Sequence, residues 1–254
     1  MAADTLNEQA IRAHLSSNRL KSVNLYEFVE STNDTLRELL QTGAEHGTLV
    51  VAESQTKGRG RFGRYFHSPA KSGIYLSFLM AADQLPTKDS SLLTIFVGTV
   101  VCRALRQLTG KTVQIKWIND LFLQNKKIGG ILTEAVGNYF IIGIGLNIEA
   151  PQQAFPPEIA SLAGCLYEHG EESISRNEII GLIVSNLLDG GCQNKLIDEY
   201  KSYSAILGSA VTVTEGKSIY EAMALDIDLK GRLLVKKADA SIAALCSGEV
   251  RIKC

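Results

Sequence analysis

The stretch Gly58-Arg59-Gly60-Arg61-Phe62-Gly63-Arg64 restricts the fold more than any other, because it interrupts two runs that read as strands, residues 48–53 and 74–80. Each glycine costs roughly 0.5–1 kcal/mol relative to alanine in regular structure, so three in seven residues demand unusual dihedrals, close backbone approach or a mobile loop. The arginines identify what approaches as an anion, phosphate above all. A solvated turn with a charged rim is the competing reading. The surrounding sequence decides between them.

Hydrophobic periodicity around the loop alternates between helix and strand. Leu6, Ala10, Ile11 and Leu15 mark a short N-terminal helix, and residues 23–29 a strand. Ser31-Thr32-Asn33 offers cap chemistry for a helix carrying Leu36, Leu39 and Leu40. Residues 92–108 are apolar on nearly all sides and read as a buried helix, whose charge-free run, 90–102, is too short to span a bilayer. Strands follow at 112–117, 120–123, 128–135 and 139–148, with Gln124-Asn125-Lys126-Lys127 as a polar turn. Pro151, Pro156 and Pro157 mark a surface crossing. Ser175 and Glu178 have capping-box spacing for a helix reaching Leu188, and 194–202 forms another.

From about Leu207 the texture changes to short alternating strands, 211–214, 218–226, 232–236 and 248–253, which predict a small barrel serving as a docking module. The expected fold is α+β, a mixed sheet with packed helices in residues 1–205 followed by a β-barrel in 206–254. A net charge of −1 lacks the Lys and Arg excess of a broad nucleic-acid-binding face. The N-terminus has no basic, then apolar, leader. Five cysteines, at 102, 165, 192, 246 and 254, show no C-x-x-C spacing and read as reduced thiols of a cytoplasmic protein, buried apart from the terminal one. Histidines 14, 46, 67 and 169 lack metal-ligand spacing, so no metal site is expected.

Two more segments are chemically dense. Lys116-Trp117-Ile118-Asn119-Asp120 brackets a strand end with a lysine, an amide and a carboxylate, and Lys127-Ile128-Gly129-Gly130-Ile131-Leu132 follows within one hairpin. Gly143-Ile144-Gly145-Leu146-Asn147 is the third cluster, without the strand-turn-helix frame of a dinucleotide fingerprint. There is no G-x-x-x-x-G-K-[ST] phosphate loop.

In this order, Ser31-Thr32-Asn33, Gln55 through Arg64, Lys116 to Asp120, Lys127 to Leu132 and Gly143 to Asn147 closely resemble the motifs of biotin protein ligases. The resemblance runs from about Leu25 to Asn147, and more loosely through the final strand. It implies a catalytic domain related in fold to class II aminoacyl-tRNA synthetases and a C-terminal SH3-like barrel. It also implies the reaction: biotin is activated with ATP and Mg2+ to biotinyl-5′-AMP, then transferred to a lysine on the carrier domain of a biotin-dependent carboxylase such as acetyl-CoA carboxylase. Carried over, the biotin contacts would be Ser31, Thr32, Asn33, Gln55, Arg59, Gly60, Arg61, Lys127 and Gly130. Nucleotide contacts would be Arg61, Arg64, Phe66, Lys116, Trp117, Asn119 and Asn147, with Asp120 beside the adenylate. Arg59, Arg61, Lys116, Asp120 and Lys127 would carry the chemistry. Two positions depart from the family, which usually has proline at Ile118 and tryptophan at Phe66. The family includes monomers and homodimers. Fewer than about 30 residues precede the motifs, too few for a winged-helix domain, so a ligase without repressor function or a nucleic-acid partner is expected.

The residue chemistry is consistent with this. A carboxylate attacking the α-phosphate of ATP must approach another anion, and fixed cations offset the charge that accumulates. Arg59, Arg61 and Arg64 on a closing loop, with Lys127 from a hairpin, supply them. Ser31, Thr32, Asn33 and Gln55 offer donors and acceptors to a ureido ring, though the first three also suit a helix cap. Asp120 is the candidate to orient or deprotonate the acceptor lysine, with Mg2+ binding or a structural ion pair as rivals. Three alternatives remain: a lipoate or octanoate ligase, a nucleic-acid module using the Arg/Gly loop, and a non-catalytic biotin sensor.

Overall fold

The computed structural model describes residues 4–16, 18–87, 89–151, 153–190 and 195–252. In chain order the elements are α1 (Glu8–Ala13), β1 (Ser22–Val29), α2 (Thr32–Gln41), β2 (Thr48–Gln55), β3 (Gly73–Ala81), α3 (Leu93–Thr109), β4 (Gln114–Lys116), β5 (Asp120–Leu123), β6 (Lys126–Val136) and β7 (Tyr139–Asn147). They continue with α4 (Pro157–Ala160), α5 (Arg176–Asp189), α6 (Leu196–Ser202), β8 (Ala210–Glu215), β9 (Ser218–Ile227), β10 (Leu233–Lys237), β11 (Ile242–Leu245) and β12 (Glu249–Ile252). Seven strands form one sheet in the order β1-β2-β3-β7-β6-β5-β4, and the last five form a second, β11-β10-β9-β8-β12. Only β1 and β2 pair in parallel, which makes the first sheet mixed. The second is antiparallel throughout.

Alternation along the central strands separates two chemistries. Ile74, Leu76, Phe78 and Met80 of β3 and Ile142, Ile144 and Leu146 of β7 join the main core with α3 and α5. On the other face a small cluster, Leu36, Val50, Leu79 and Ile141, seats α2. Beyond that cluster the same face carries Ser77, Gly143, Gly145 and Gly130, with Asn33 seated close over Gly143 and Phe66 over Gly145.

The expected elements are present, with local corrections. The apolar helical segment extends over Ser90–Thr109, long and apolar enough by length and composition to cross a membrane. Burial explains its composition, because Ile95, Val97, Val100, Val101, Ala104 and Leu105 lie in the protein core. Ser31 occupies the N-cap position of α2 without a side-chain cap bond. Instead, Gln55 Oε1 accepts the Thr32 amide at 2.9 Å. Strand β11 was not expected: Ile242-Ala243-Ala244-Leu245 has little β-branched character, and its pairing with β10 makes it a strand. Cys102 and Cys165 are buried as expected, but Cys246 is exposed. Residues Cys192, Asn194, Lys253 and Cys254 lie outside the described set.

One buried cation joins the N-terminal segment to the sheet. Arg176, at the start of α5, donates to both Glu53 oxygens at 2.8 and 3.1 Å, to Asp4 Oδ2 at 3.0 Å and to the Gly73 carbonyl at 3.2 Å. Its side chain is 5% exposed, so these partners take the place of water.

The second sheet is anchored on the first. The indole Nε1 of Trp117 donates to the Gly231 carbonyl at 3.0 Å, and Lys201 pairs with Asp226 at 2.7 Å.

Candidate active site

Tyr75, Gly145, Gly130, Asp120 and Lys116 are successive register partners on β3, β7, β6, β5 and β4. Five distant positions thus form one row across the sheet, on the face that α2 only partly covers. The glycines make its floor. A Cβ at Gly145 would lie 2.6 Å from the Phe66 ring, and one at Gly143 2.3 Å from Asn33 Oδ1, so neither site accepts a side chain without displacing its neighbour.

A polar chain closes one end. Gln55 Oε1 accepts from the Thr32 amide and hydroxyl, while its Nε2 donates to Ser68 Oγ at 2.9 Å. The Ser77 hydroxyl has one proton and two acceptors within reach, Thr32 Oγ1 at 2.8 Å and Asn33 Oδ1 at 2.5 Å. Ser31, Thr32 and Asn33 are all buried.

Cations gather at the other end. Lys127 Nζ donates to Asp120 Oδ1 at 2.7 Å. Burial lowers the pKa of Lys116, with Asp120 opposing the shift. Arg61 Nη1 reaches Asn119 Oδ1 at 3.1 Å; burial lowers its pKa too, again opposed by Asp120. Arginine titrates far above neutrality and stays charged.

The Arg/Gly loop lies between these ends, and each arginine has a partner. Arg59 pairs with Asp34 at 2.6 Å and Glu134 at 3.0 Å, and Arg64 pairs with Glu249 of β12. Burial works against ionisation of Glu249, but Arg64 and Arg251 outweigh it and lower its pKa. Gly58 has no space for a Cβ, which would sit 2.3 Å from the Phe66 carbonyl. Phe62 takes a left-handed φ of 58°, rare for an aromatic, with its exposed ring 4.9 Å from the Arg61 guanidinium.

Residues 25–148 match the biotin/lipoate A/B protein ligase family, and residues 206–252 match the biotin protein ligase C-terminal domain. The bifunctional ligase/repressor BirA of Bacillus subtilis is 30% identical over 97% of this chain and 79% of its own length. The chain belongs to the biotin protein ligase family. A biotin--[acetyl-CoA-carboxylase] ligase of Mycobacterium tuberculosis is 27% identical to this ligase over 98% of the chain and 96% of that relative. The Aquifex aeolicus biotin protein ligase, solved in complex with biotin and ATP, superposes with a TM-score of 0.79 at 28% identity, covering 92% of this chain and 99% of that one.

Most of the sequence-selected residues of this ligase converge on the row and its rim. Two have their side-chain donors engaged by backbone carbonyls. Trp117 is buried and its indole Nε1 is held by the Gly231 carbonyl, at the seam with the second sheet. Asn147 shares the face of Gly145, and its Nδ2 donates to the Gly164 carbonyl at 2.9 Å. Phe66 lies edge-on to Tyr75 over Gly145, keeping an apolar wall where the family has an indole. The turn at Ile118 survives without proline, through a cis Trp117–Ile118 peptide. Sequence reasoning missed Ser68, Ser77 and Glu249. Ser77 had a signal: it is the one small polar residue inside the apolar run of β3.

Proposed function

We propose that this ligase condenses biotin with MgATP to biotinyl-5′-AMP and then moves the biotinyl group to a lysine on a biotin carboxyl carrier domain of a carboxylase such as acetyl-CoA carboxylase, in the cytoplasm. The observation that carries this reading is the row itself: glycine floor, polar chain at one end, and lysines with a carboxylate at the other. Thr32, Asn33 and Gln55 face the ureido ring with both donors and acceptors, and Ser31, whose hydroxyl is not spent on capping, joins them. A lipoyl or octanoyl chain has no ureido group to use that array. A sensor without chemistry has no need of Lys116, Asp120 and Lys127 together.

The biotin carboxylate attacks the α-phosphate, and pyrophosphate leaves with the electron pair of the broken P–O bond. Lys127, Lys116 and Arg61 hold positive charge beside the phosphate oxygens through this step. Mg2+ would enter with ATP and would offset the charge of its phosphates. Among the described residues no group of three His, Cys, Asp or Glu side chains forms a cage for a resident ion. The Arg/Gly loop covers the mixed anhydride against water.

In the second step the acceptor ammonium loses a proton, its amine attacks the anhydride carbonyl, AMP departs with the C–O electron pair, and the nitrogen loses its second proton. Asp120, held by Lys127, is the carboxylate placed to orient that amine. Given preformed biotinyl-AMP, Asp120→Ala is expected to transfer biotin to a carrier domain about 10²-fold more slowly, in line with the usual contribution of a positioned general base. Unchanged single-turnover transfer would remove this role. The function as a whole is tested by mass spectrometry of a carrier domain incubated with the ligase, biotin and MgATP. A gain of one biotinyl group is expected; no gain with biotin but a gain with lipoate would overturn the reading.

A further inference from the structure

The ion pairs over α2 converge on a residue outside every motif considered so far. Glu134, on β6, accepts from Asn33 Nδ2 at 2.7 Å through Oε2. Its Oε1 lies 3.0 Å from both Arg37 Nη2 and Arg59 Nη2. The same two arginines each pair at 2.6 Å with Asp34. Two carboxylates and two guanidiniums thus form a neutral set, in which the Glu134 side chain is 19% exposed.

An asparagine amide is nearly symmetric in shape, so its neighbours decide which end is oxygen. A carboxylate only accepts, so Asn33 must turn its nitrogen to Glu134 and its oxygen to Ser77, 2.5 Å away. The carboxylate itself is clamped by Arg37 from α2 and Arg59 from the loop. We propose that Glu134 is a positioning residue: it sets the polarity that Asn33 presents to the ureido end of biotin. This rests on the proposed assignment of Asn33 to the biotin pocket. It also makes loop and pocket interdependent, because Arg59 holds the carboxylate that orients Asn33.

Glu134→Gln keeps the shape but offers one acceptor and one donor, so an NH2 group must face either Asn33 Nδ2 or the arginines. The test is biotin-dependent ATP–pyrophosphate exchange, with thermal melting as a control for folding. KM for biotin is expected to rise about 10-fold or more, the scale of a lost hydrogen bond to a charged group, with KM for ATP within about twofold of the parent. In an Asn33→Ala background the same substitution is expected to change KM for biotin by less than about twofold, since its route of action is gone. If Glu134→Gln melts early, Glu134→Asp keeps the charge but draws it back by one methylene, and is expected to raise KM for biotin by a smaller factor. An unmoved KM in a folded variant, or an equal rise in both backgrounds, overturns the inference while leaving the ligase reading intact. Absence of biotin-dependent exchange in the unsubstituted protein overturns the ligase reading, and the inference with it.

Discussion

Replacing Lys127 with methionine is expected to lower kcat/KM for biotinyl-AMP formation by about 10²–10³-fold, the usual cost of removing one fixed stabilising donor from a closed site. Methionine keeps the apolar stem, which lies 3.7 Å from the Cβ position of Gly130, so the floor of the row is retained. What is lost is the ammonium that the proposed mechanism sets beside the reacting phosphate. Asp120 then stands without its 2.7 Å partner and adds negative charge where the transition state can least accept it. Stability moves little, because the pair is about one third exposed on the lysine side and such pairs contribute at most ~1 kcal/mol. Pyrophosphate exchange and a thermal melt read the two quantities separately. A loss below about fivefold would move the fixed charge of the first step from Lys127 to Lys116 and Arg61.

The second large effect is on stability. Arg176→Met is expected to cost about 3–5 kcal/mol, because it strips a buried cation from Glu53 and Asp4 and leaves the Gly73 carbonyl without its donor. For a chain of this size that corresponds to a drop in Tm of roughly 10 °C. The damage should reach the site as well, since Glu53 lies two residues before Gln55 on β2 and Gly73 opens β3. A Tm within about 3 °C of the parent would show that Glu53 and Asp4 find water instead.

Much of this was legible in the chain. The strands flanking the loop, the buried helix, the meander and the change of texture near Leu207 all follow from periodicity and turn residues. The motifs carried the family resemblance and most of the residues that line the row. What could not be read was set by contacts between distant elements. Gln55 caps α2 from β2, a partnership no local pattern announces. The partners of Arg59 and Arg64 lie 75 and 185 residues away, at Glu134 and Glu249, so the loop looked free when its charges were already engaged. Trp117 stood among nucleotide-binding candidates, yet its indole serves the Gly231 carbonyl. Strand β11 forms from residues with little β preference because β10 offers it an edge.

The row across β3, β7, β6, β5 and β4 has a further consequence, which concerns counting. Its members all point to one side because each occupies the same parity in its strand, while the next residue along, Leu76, Leu146 or Ile131, belongs to the core. Gain or loss of a single residue within β6 or β7 would therefore not merely shift the site. It would turn bulky aliphatics into the substrate space and the glycines into the core. Changes of two residues keep the parity, and an odd one is absorbed only where the ladder already breaks step, between Leu121 and Phe122. Length variation within these paired strands is thus governed by arithmetic modulo two.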